Sequence, residues 1–312
     1  LLGLLVRPEL FGLKKADTVF VQAQFPKRVD SSKVESLLVA LRGELLSLGI
    51  FSEVDLTPIR KDSELTILAE FKEASAFWVY PTLGYDDVSG WTGGLLGGLG
   101  NIFGRAHRWG AGFTLGGYNS LQVRGSRPPS RGEPWGYRAK AWWGERRWIL
   151  EGAIQRGWSA ELTSLWRWPL SWGLWLYWEE FRFSGDSWPG PRSSHFGAAG
   201  LVLEESHLDD PAYPSCGKSL KFKACLASAG FSGLSIAVAQ IKRLPVGAFW
   251  ASLKIDAQSE RTPYHWALEV GGVNGLRSYP YPTAKALSRA IGSVYLRVPF
   301  FKGRWPFEWG LD

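Results

Sequence analysis

The chain has 312 residues, of which 45% are hydrophobic and 21% are charged, and this composition excludes a disordered chain. Its net charge of +7 is spread along the sequence and favours anionic surfaces, such as lipid headgroups or acidic polysaccharide, over a nucleic-acid partner. No stretch reaches the roughly 20 apolar residues that a transmembrane helix requires.

Residues 17–75 predict a small α+β domain, and residues 1–16 are interpreted as the tail of an upstream segment. Residues 18–25 are rich in β-branched and aromatic side chains, which predicts a strand. A helix should follow, between an N-cap at residues 30–32 and a stop at Gly49. Its apolar residues recur at spacings of three and four: Val34, Leu37, Leu38, Leu41, Leu45 and Leu48. Residues 51–59 and 64–71 then alternate around a turn at 61–63, which predicts a hairpin and the order β-α-β-β.

From Phe77 onward, helical periodicity gives way to a period of two, as in residues 109–116, 220–227 and 292–300. All 18 tryptophans lie in this part of the chain. One apolar face and one small or charged face, repeated over segments of about ten residues, is typical of a transmembrane β-barrel with aromatic belts. We expect a dozen to fourteen antiparallel strands in residues 76–312, which form a barrel whose C-terminal strands are missing. A soluble Trp-rich β-protein remains an alternative, although its strands should be shorter.

No catalytic or metal-binding pattern stands out in the sequence. The neighbouring pairs Glu179-Glu180 and Glu204-Glu205 should point to opposite faces of a strand, so neither is a paired-carboxylate site. The two cysteines and four histidines do not have metal-ligand spacing. The sequence therefore predicts no enzyme activity, no cofactor and no metal.

Four segments resemble the BamA/TamA-type family of outer-membrane assembly proteins. Residues 48–56 (LGIFSEVDL) resemble the helix-to-strand passage of a polypeptide-transport-associated (POTRA) domain. Residues 84–104 (GYDDVSGWTGGLLGGLGNIFG) resemble the opening barrel hairpin, and residues 210–220 (DPAYPSCGKSL) resemble a mid-barrel turn. Residues 275–280 (GLRSYP) resemble the tip of an inward-folded loop, with Ser278 in place of the family's glycine.

The resemblance implies the handling of unfolded polypeptide rather than covalent chemistry. A POTRA-like domain would add a client strand to its edge, at residues 18–25 or at the strand that carries Phe51, Val54 and Leu56. The first barrel strand, near residues 77–84, would pair weakly with the last and admit a client strand. The loop tip comprises Gly275, Leu276, Arg277, Ser278 and Tyr279. Arg277 would point into the lumen and lock the loop to the strand that carries the lumen-facing Tyr295 and Arg297.

The same resemblance implies an antiparallel barrel of 16 strands when complete. It also implies the bacterial outer membrane as location, with the POTRA-like domain in the periplasm. The implied partners are unfolded outer-membrane or secreted polypeptides, the lipid and lipopolysaccharide bilayer, and periplasmic accessory proteins. Two further alternatives stay open at this point: a passive porin or structural barrel, which would not need residues 17–75, and the barrel anchor of an upstream patatin-like lipase.

Overall fold

A computed structural model describes residues 3–86, 90–116, 119–148, 152–168, 170–208, 216–244, 247–270, 284–299 and 306–311. The first part of the chain forms a four-stranded sheet with the strand order β2-β1-β4-β3, in which β1 and β4 are parallel and the other pairs antiparallel. Its elements are β1 (Leu4–Phe11), α1 (Thr18–Gln22), β2 (Arg28–Val29), α2 (Val34–Ser47), β3 (Phe51–Lys61) and β4 (Glu64–Glu73). We call this part the small domain.

The helix α2 packs its apolar stripe onto this sheet, as the spacing of its leucines predicts. Leu45 of α2, Val54 of β3 and Ile67 of β4 are all fully buried in the same apolar cluster. Gly49 ends the helix with φ +66°, a conformation that suits glycine at this position. The predicted helix and the hairpin of β3 and β4 are confirmed.

The strand predicted at residues 18–25 is wrong, because Thr18–Gln22 forms the helix α1. Asp17 begins this helix by accepting hydrogen bonds from the backbone N–H groups of Val19 (2.9 Å) and Phe20 (3.4 Å). The bond from Phe20, followed by the bond from Arg105, lowers the pKa of Asp17. Phe20 and Val21 fill the core from this helix, so the apolar character of the segment does not indicate a strand. The order is therefore β-α-β-α-β-β, with two helices instead of one.

The second part of the chain forms a sheet of thirteen antiparallel strands among the described residues. Neighbours in sequence are neighbours in the sheet, from β5 at one end to β18 and β19 at the other. Its strands are β5 (Phe77–Asp86), β6 (Gly90–Ile102), β7 (His107–Gly116), β8 (Ser120–Arg127), β9 (Trp135–Trp148), β10 (Ala153–Trp168), β11 (Leu170–Ser184), β12 (Ser193–Leu208), β13 (Gly217–Ala227), β14 (Ser232–Leu244), β15 (Gly247–Gln258), β18 (Ser288–Pro299) and β19 (Pro306–Leu311). Between β15 and β18, the short strands β16 (Leu268–Val270) and β17 (Ala284–Ala286) pair with each other.

The large sheet curls, so that its strands have an inner and an outer face. One cavity is lined by residues from β5, at Trp78, through to β15, at Lys254. Along β11, Trp175 and Glu179 are buried on the inner face, whereas Leu174 and Leu176 are about half exposed on the outer face. The polar face is thus inside and the apolar face outside, which is the barrel pattern that the alternation predicts.

Neither helix in the described part of the chain is long and apolar enough to cross a membrane.

Outward-facing tryptophans form two rows across β9, β10 and β11. We call the end of the sheet next to the small domain the near end and the opposite end the far end. The near row contains Trp135, Trp166 and Trp172, and the rings of Trp166 and Trp172 stack at 5.1 Å. The far row contains Trp143, Trp158 and Trp178, which are 64%, 38% and 43% exposed. These rows are called the near and far tryptophan rows below.

Three polar side chains of the small domain hold it against the near end of the large sheet. Glu44 of α2 accepts hydrogen bonds from Arg167 (2.8 Å) and Arg131 (3.4 Å). The side chain of Gln24 accepts one from the Arg131 backbone N–H (3.0 Å). Asp17 accepts one from Arg105 (3.1 Å), in the turn between β6 and β7. The small domain therefore sits at the side of the sheet where β5 begins.

Candidate functional site: the inner face of the large sheet

A buried carboxylate on β11 anchors the loop that connects β15 to β18. Glu179 is fully buried, and its Oε1 accepts hydrogen bonds from Ser194 of β12 (2.6 Å) and from Nε2 of His265 (2.5 Å). Its Oε2 accepts hydrogen bonds from the Tyr177 hydroxyl (2.9 Å) and from the Trp266 indole N–H (2.9 Å). An ionised carboxylate has about four acceptor sites, and here four donors use them.

The first part of this loop also packs into an aromatic cluster on the inner face. The ring of Trp266 lies 5.0 Å from Tyr177, 5.3 Å from Phe196 and 5.3 Å from Phe231 between ring centres. The Tyr264 ring contacts Trp188, which in turn stacks on Phe183. Residues 264–266 of the loop thus lie in the far half of the space inside the large sheet.

The near half of this space is a cavity of about 840 Å³ with a strongly basic lining, which we call the basic chamber. Among the described residues, only Glu161 and Glu204 contribute carboxylates to its lining. Both carboxylates already accept hydrogen bonds, from Trp175 (2.6 Å) and from Arg138 (2.7 Å) respectively. Its basic residues are Arg108, Arg124, Arg138 and Lys140 on β7 to β9 and Lys221, Lys223 and Lys254 on β13 to β15.

Trp175 lies between the loop and the basic chamber. Its ring contacts Trp266 of the loop, with 6.4 Å between ring centres. The ammonium group of Lys223 lies over the same ring at 3.4 Å from its centre, a cation–π contact on the chamber side. Trp266 of the loop therefore contacts Trp175 at the far end of the chamber.

The residues proposed for client capture lie in the small-domain core. Phe51 and Val54 are 4% and 0% exposed, and Leu56 is partly buried against the same cluster. Their strand β3 is nevertheless an edge strand, with β4 on one side and no further strand on the other among the described residues. Pro58 lies within β3, as is typical of edge strands, because proline cannot donate to a neighbour. A client strand would therefore meet the backbone of β3 and not these side chains.

The loop-tip residues Gly275, Leu276, Arg277, Ser278 and Tyr279 lie outside the described residues. Tyr295 and Arg297 lie on β18, where their backbones pair with Trp250 and Ala248 of β15. Tyr295 shares the inner face with Arg289, whose Nε donates to Asp256 (2.7 Å). The contact proposed for Arg277 stays a prediction.

Sequence patterns predict neither the anchor at Glu179 nor the basic chamber. The alternation of side chains along a strand does place Glu179 and Glu180 on opposite faces, and this is correct: Glu179 is buried inside and Glu180 is exposed outside. The basic residues of the chamber are far apart in sequence and become neighbours only when the sheet curls. One signal of the chamber exists in the sequence, because Lys221 and Lys223 share one face of β13 while the apolar residues that alternate with them lie on the other face. No group of three or more His, Cys, Asp or Glu in the described ranges could hold a metal ion.

No family model matches the sequence, and no curated protein matches it. Among solved structures, similar ones include BamA from Haemophilus ducreyi lacking POTRA domains 1–3, with 11% identity and a TM-score of 0.54. The matched region covers 96% of this chain and 69% of that BamA chain. CdiB from Acinetobacter baumannii is similar with 12% identity and a TM-score of 0.57, over 95% of this chain and 60% of that CdiB chain. CdiB from Escherichia coli is similar with 11% identity and a TM-score of 0.66, over 97% of this chain and 63% of that CdiB chain.

These likenesses show a shared fold at low sequence identity. This chain spans between 60% and 69% of the length of the three similar structures. The expected fold class, an antiparallel barrel preceded by a small α+β part, is confirmed. The resemblance carried by the four short motifs agrees with the structures that are similar.

Proposed function

We propose that this chain is part of a BamA/TamA-type protein of the bacterial outer membrane that inserts or secretes β-rich polypeptides. The observation that carries the proposal is the combination of a BamA- and CdiB-like fold with a loop anchored inside the sheet at Glu179. A passive pore does not need the small domain that contacts the near end. The chemistry is binding and guidance of polypeptide, and no catalytic step is part of the proposal.

The tryptophan rows support the membrane location. Eight residues separate Trp135 from Trp143 on β9 and Trp158 from Trp166 on β10. That spacing is about 26 Å along a strand, or about 20 Å along the membrane normal for a strand tilted by about 40°. Exposed leucines such as Leu162, Leu174 and Leu176 lie between the rows. An apolar band between two aromatic rows is the outer surface of an outer-membrane barrel.

We further propose that the small domain is a POTRA-like domain in the periplasm. Our sequence-based boundary of residues 17–75 is extended to residue 4, because β1 (Leu4–Phe11) lies in the centre of its sheet. The free edge of β3 would accept a client strand through backbone hydrogen bonds, which makes capture tolerant of client sequence. The partners would be unfolded outer-membrane or secreted polypeptides and periplasmic accessory proteins.

Photocrosslinking with the full chain in detergent tests strand capture. A photoreactive amino acid at Asp55 of β3 is compared with one at Glu70 of β4; the two residues are directly paired and both exposed. Glu70 is flanked by β1 and β3, so it offers no free edge. We expect a urea-denatured porin, diluted from denaturant, to crosslink from Asp55 and not from Glu70. Equal crosslinking from both positions, or none from Asp55, would contradict capture at β3.

The barrel seam is tested in liposomes. β5 lies at one end of the strand order, so its outer edge is open among the described residues. We expect liposomes that contain the full chain to speed the folding of the same porin relative to empty liposomes. A crosslinker at Val79 of β5 should then capture the client, whereas one at Val123 of the interior strand β8 should not. Folding at the rate of empty liposomes would argue against an assembly role.

A further inference from the structure

The basic chamber has more positive charge than the protein neutralises by itself. Its lining contains seven basic residues and two carboxylates, and a third carboxylate, Asp256, lies 3.5 Å from Nζ of Lys254. Arg124 hydrogen-bonds to Gln122 (2.8 Å), Lys223 lies over Trp175, and neither Lys140 nor Lys221 makes an ion pair or hydrogen bond within the described ranges. A cavity lined by charges of one sign concentrates counter-charges. The chamber therefore suits an anionic occupant.

Two details show that folding alone does not account for this charge. Lys140 of β9 is directly opposite Glu161 of β10 on one side and Arg124 of β8 on the other. Like charges that face each other across a strand pair, as Arg124 and Lys140 do, are destabilising. The Nε of Arg108 is buried and has no hydrogen-bond partner in the described part of the chain. An unpaired buried donor costs free energy unless a ligand supplies the acceptor.

The position of the chamber indicates which occupant fits. It lies on the inner face, away from the outer apolar surface, and Trp175 separates it from Trp266 of the loop at its far end. Arg108 contacts the small domain: its guanidinium group lies directly against Gly49, so close that a side chain at that position would overlap it. The chamber is thus next to the domain proposed to receive clients. Its volume of about 840 Å³ is within the usual range of ligand pockets, and suits a short peptide segment.

We propose that the basic chamber binds an acidic, extended segment of the client polypeptide while the client passes from the small domain to the barrel. This inference rests on the proposed function and adds a substrate class to it: clients with a short acidic stretch. The charged contacts would give selectivity and speed of encounter, which is what complementary charge mainly provides. Arg124, Lys140, Lys221 and Lys223 would be the residues that contact client carboxylates.

The test measures binding of short labelled peptides to the full chain in detergent. One peptide alternates glutamate with serine, and the matched control peptide replaces each glutamate by glutamine. We expect the acidic peptide alone to bind, with a Kd that rises steeply as salt screens the contacts. The double variant Lys140→Gln/Lys221→Gln should raise that Kd by about tenfold or more. A matched variant, Arg182→Gln, removes an exposed positive charge from the outer face of β11 and should leave the Kd unchanged.

Equal affinity for both peptides, or an unchanged Kd in the double variant, overturns the proposal. Binding of inorganic phosphate or lipopolysaccharide that excludes the acidic peptide also overturns it and assigns the chamber to phosphate groups. Heat-modifiable gel migration of the double variant checks its folding; the salt dependence of the unaltered protein tests the proposal without any variant. Crosslinking at Asp55 does not involve the chamber, so capture by β3 and binding in the chamber can fail independently.

Discussion

The small domain buries its apolar residues in its interior, whereas the large sheet exposes its apolar residues on its outer face. In the small domain, Leu45, Val54 and Ile67 are fully buried between helix and sheet. In the large sheet, Leu176 and Leu201 are each 53% exposed on the outer face, while the charged Glu179 is fully buried. One region thus has its apolar residues inside, and the other has them outside. Burial therefore has to be interpreted against the surroundings of each face before it indicates a core.

The largest expected effect comes from removing the buried carboxylate of the large sheet. Glu179→Ala leaves four donors without their acceptor, and we expect a loss of about 3–5 kcal/mol in the free energy of unfolding. The loop should also become accessible to protease. Tryptophan fluorescence during urea unfolding in detergent measures the first effect. The neighbouring variant Glu180→Ala, on the exposed face, is the control, and a loss there as large as that of Glu179→Ala would contradict the inward-anchor interpretation.

A matched pair of leucines tests the comparison itself. Leu45→Ala creates a cavity in the small-domain core and should cost about 2–5 kcal/mol there. Leu176→Ala, on the outer face of β11, should change stability by less than about 1 kcal/mol in detergent. The small domain contains no tryptophan, so its unfolding is followed by the methyl NMR signals of its core. The unfolding of the large sheet is followed by tryptophan fluorescence. Similar losses for both leucines would show that the two regions are organised alike.

A charge placed on the outer face tests whether that face contacts hydrocarbon. Leu176→Arg should destabilise the protein in liposomes by about 2–4 kcal/mol, the cost of arginine near the bilayer midplane. Ser252→Arg, on the inner face of β15, should be tolerated, because that face is polar. Unfolding midpoints in the same lipid measure both. If Leu176→Arg proved harmless, the outer face would not be in contact with hydrocarbon.

The smallest effect concerns pH and the small domain. Oε1 of Glu73 accepts hydrogen bonds from the backbone N–H groups of Lys14 (2.7 Å), Lys15 (2.8 Å) and Ala16 (2.8 Å). Burial raises the pKa of Glu73, but these hydrogen bonds together lower it by more, so the pKa lies below its usual value. Its contribution to stability is therefore complete above the unfolded pKa of about 4.3 and is lost as pH falls through the folded pKa.

The variant Glu73→Gln should remove this part of the pH dependence while leaving the large sheet unaffected. The methyl NMR signals of the small-domain core, followed from neutral to acid pH in moderate urea, measure the effect. An acid transition of the same size in the variant would assign the pH dependence to other carboxylates.

Local patterns predicted most of the fold, and long-range contacts decided the rest. The leucine spacing of α2, the turn before β4 and the alternation after Phe77 are local signals, and each is confirmed. Residues 18–25 show the limit, since Phe20 and Val21 are apolar in either a strand or a buried helix, and only Asp17 indicates the helix. The anchor at Glu179 joins β11 to a loop 86 residues away, and no local pattern encodes that distance.

The two tryptophan rows also bear on the bilayer around the protein. Eight residues separate the rows on β9 and β10, but six separate Trp172 from Trp178 on β11. The hydrophobic height is therefore shorter by about 7 Å along the strand at β11. Lipids adapt to such a mismatch by thinning locally, at a modest cost per ångström. In a membrane, the acyl chains beside β11 would be compressed relative to those beside β10, so that the protein would border a bilayer of uneven thickness.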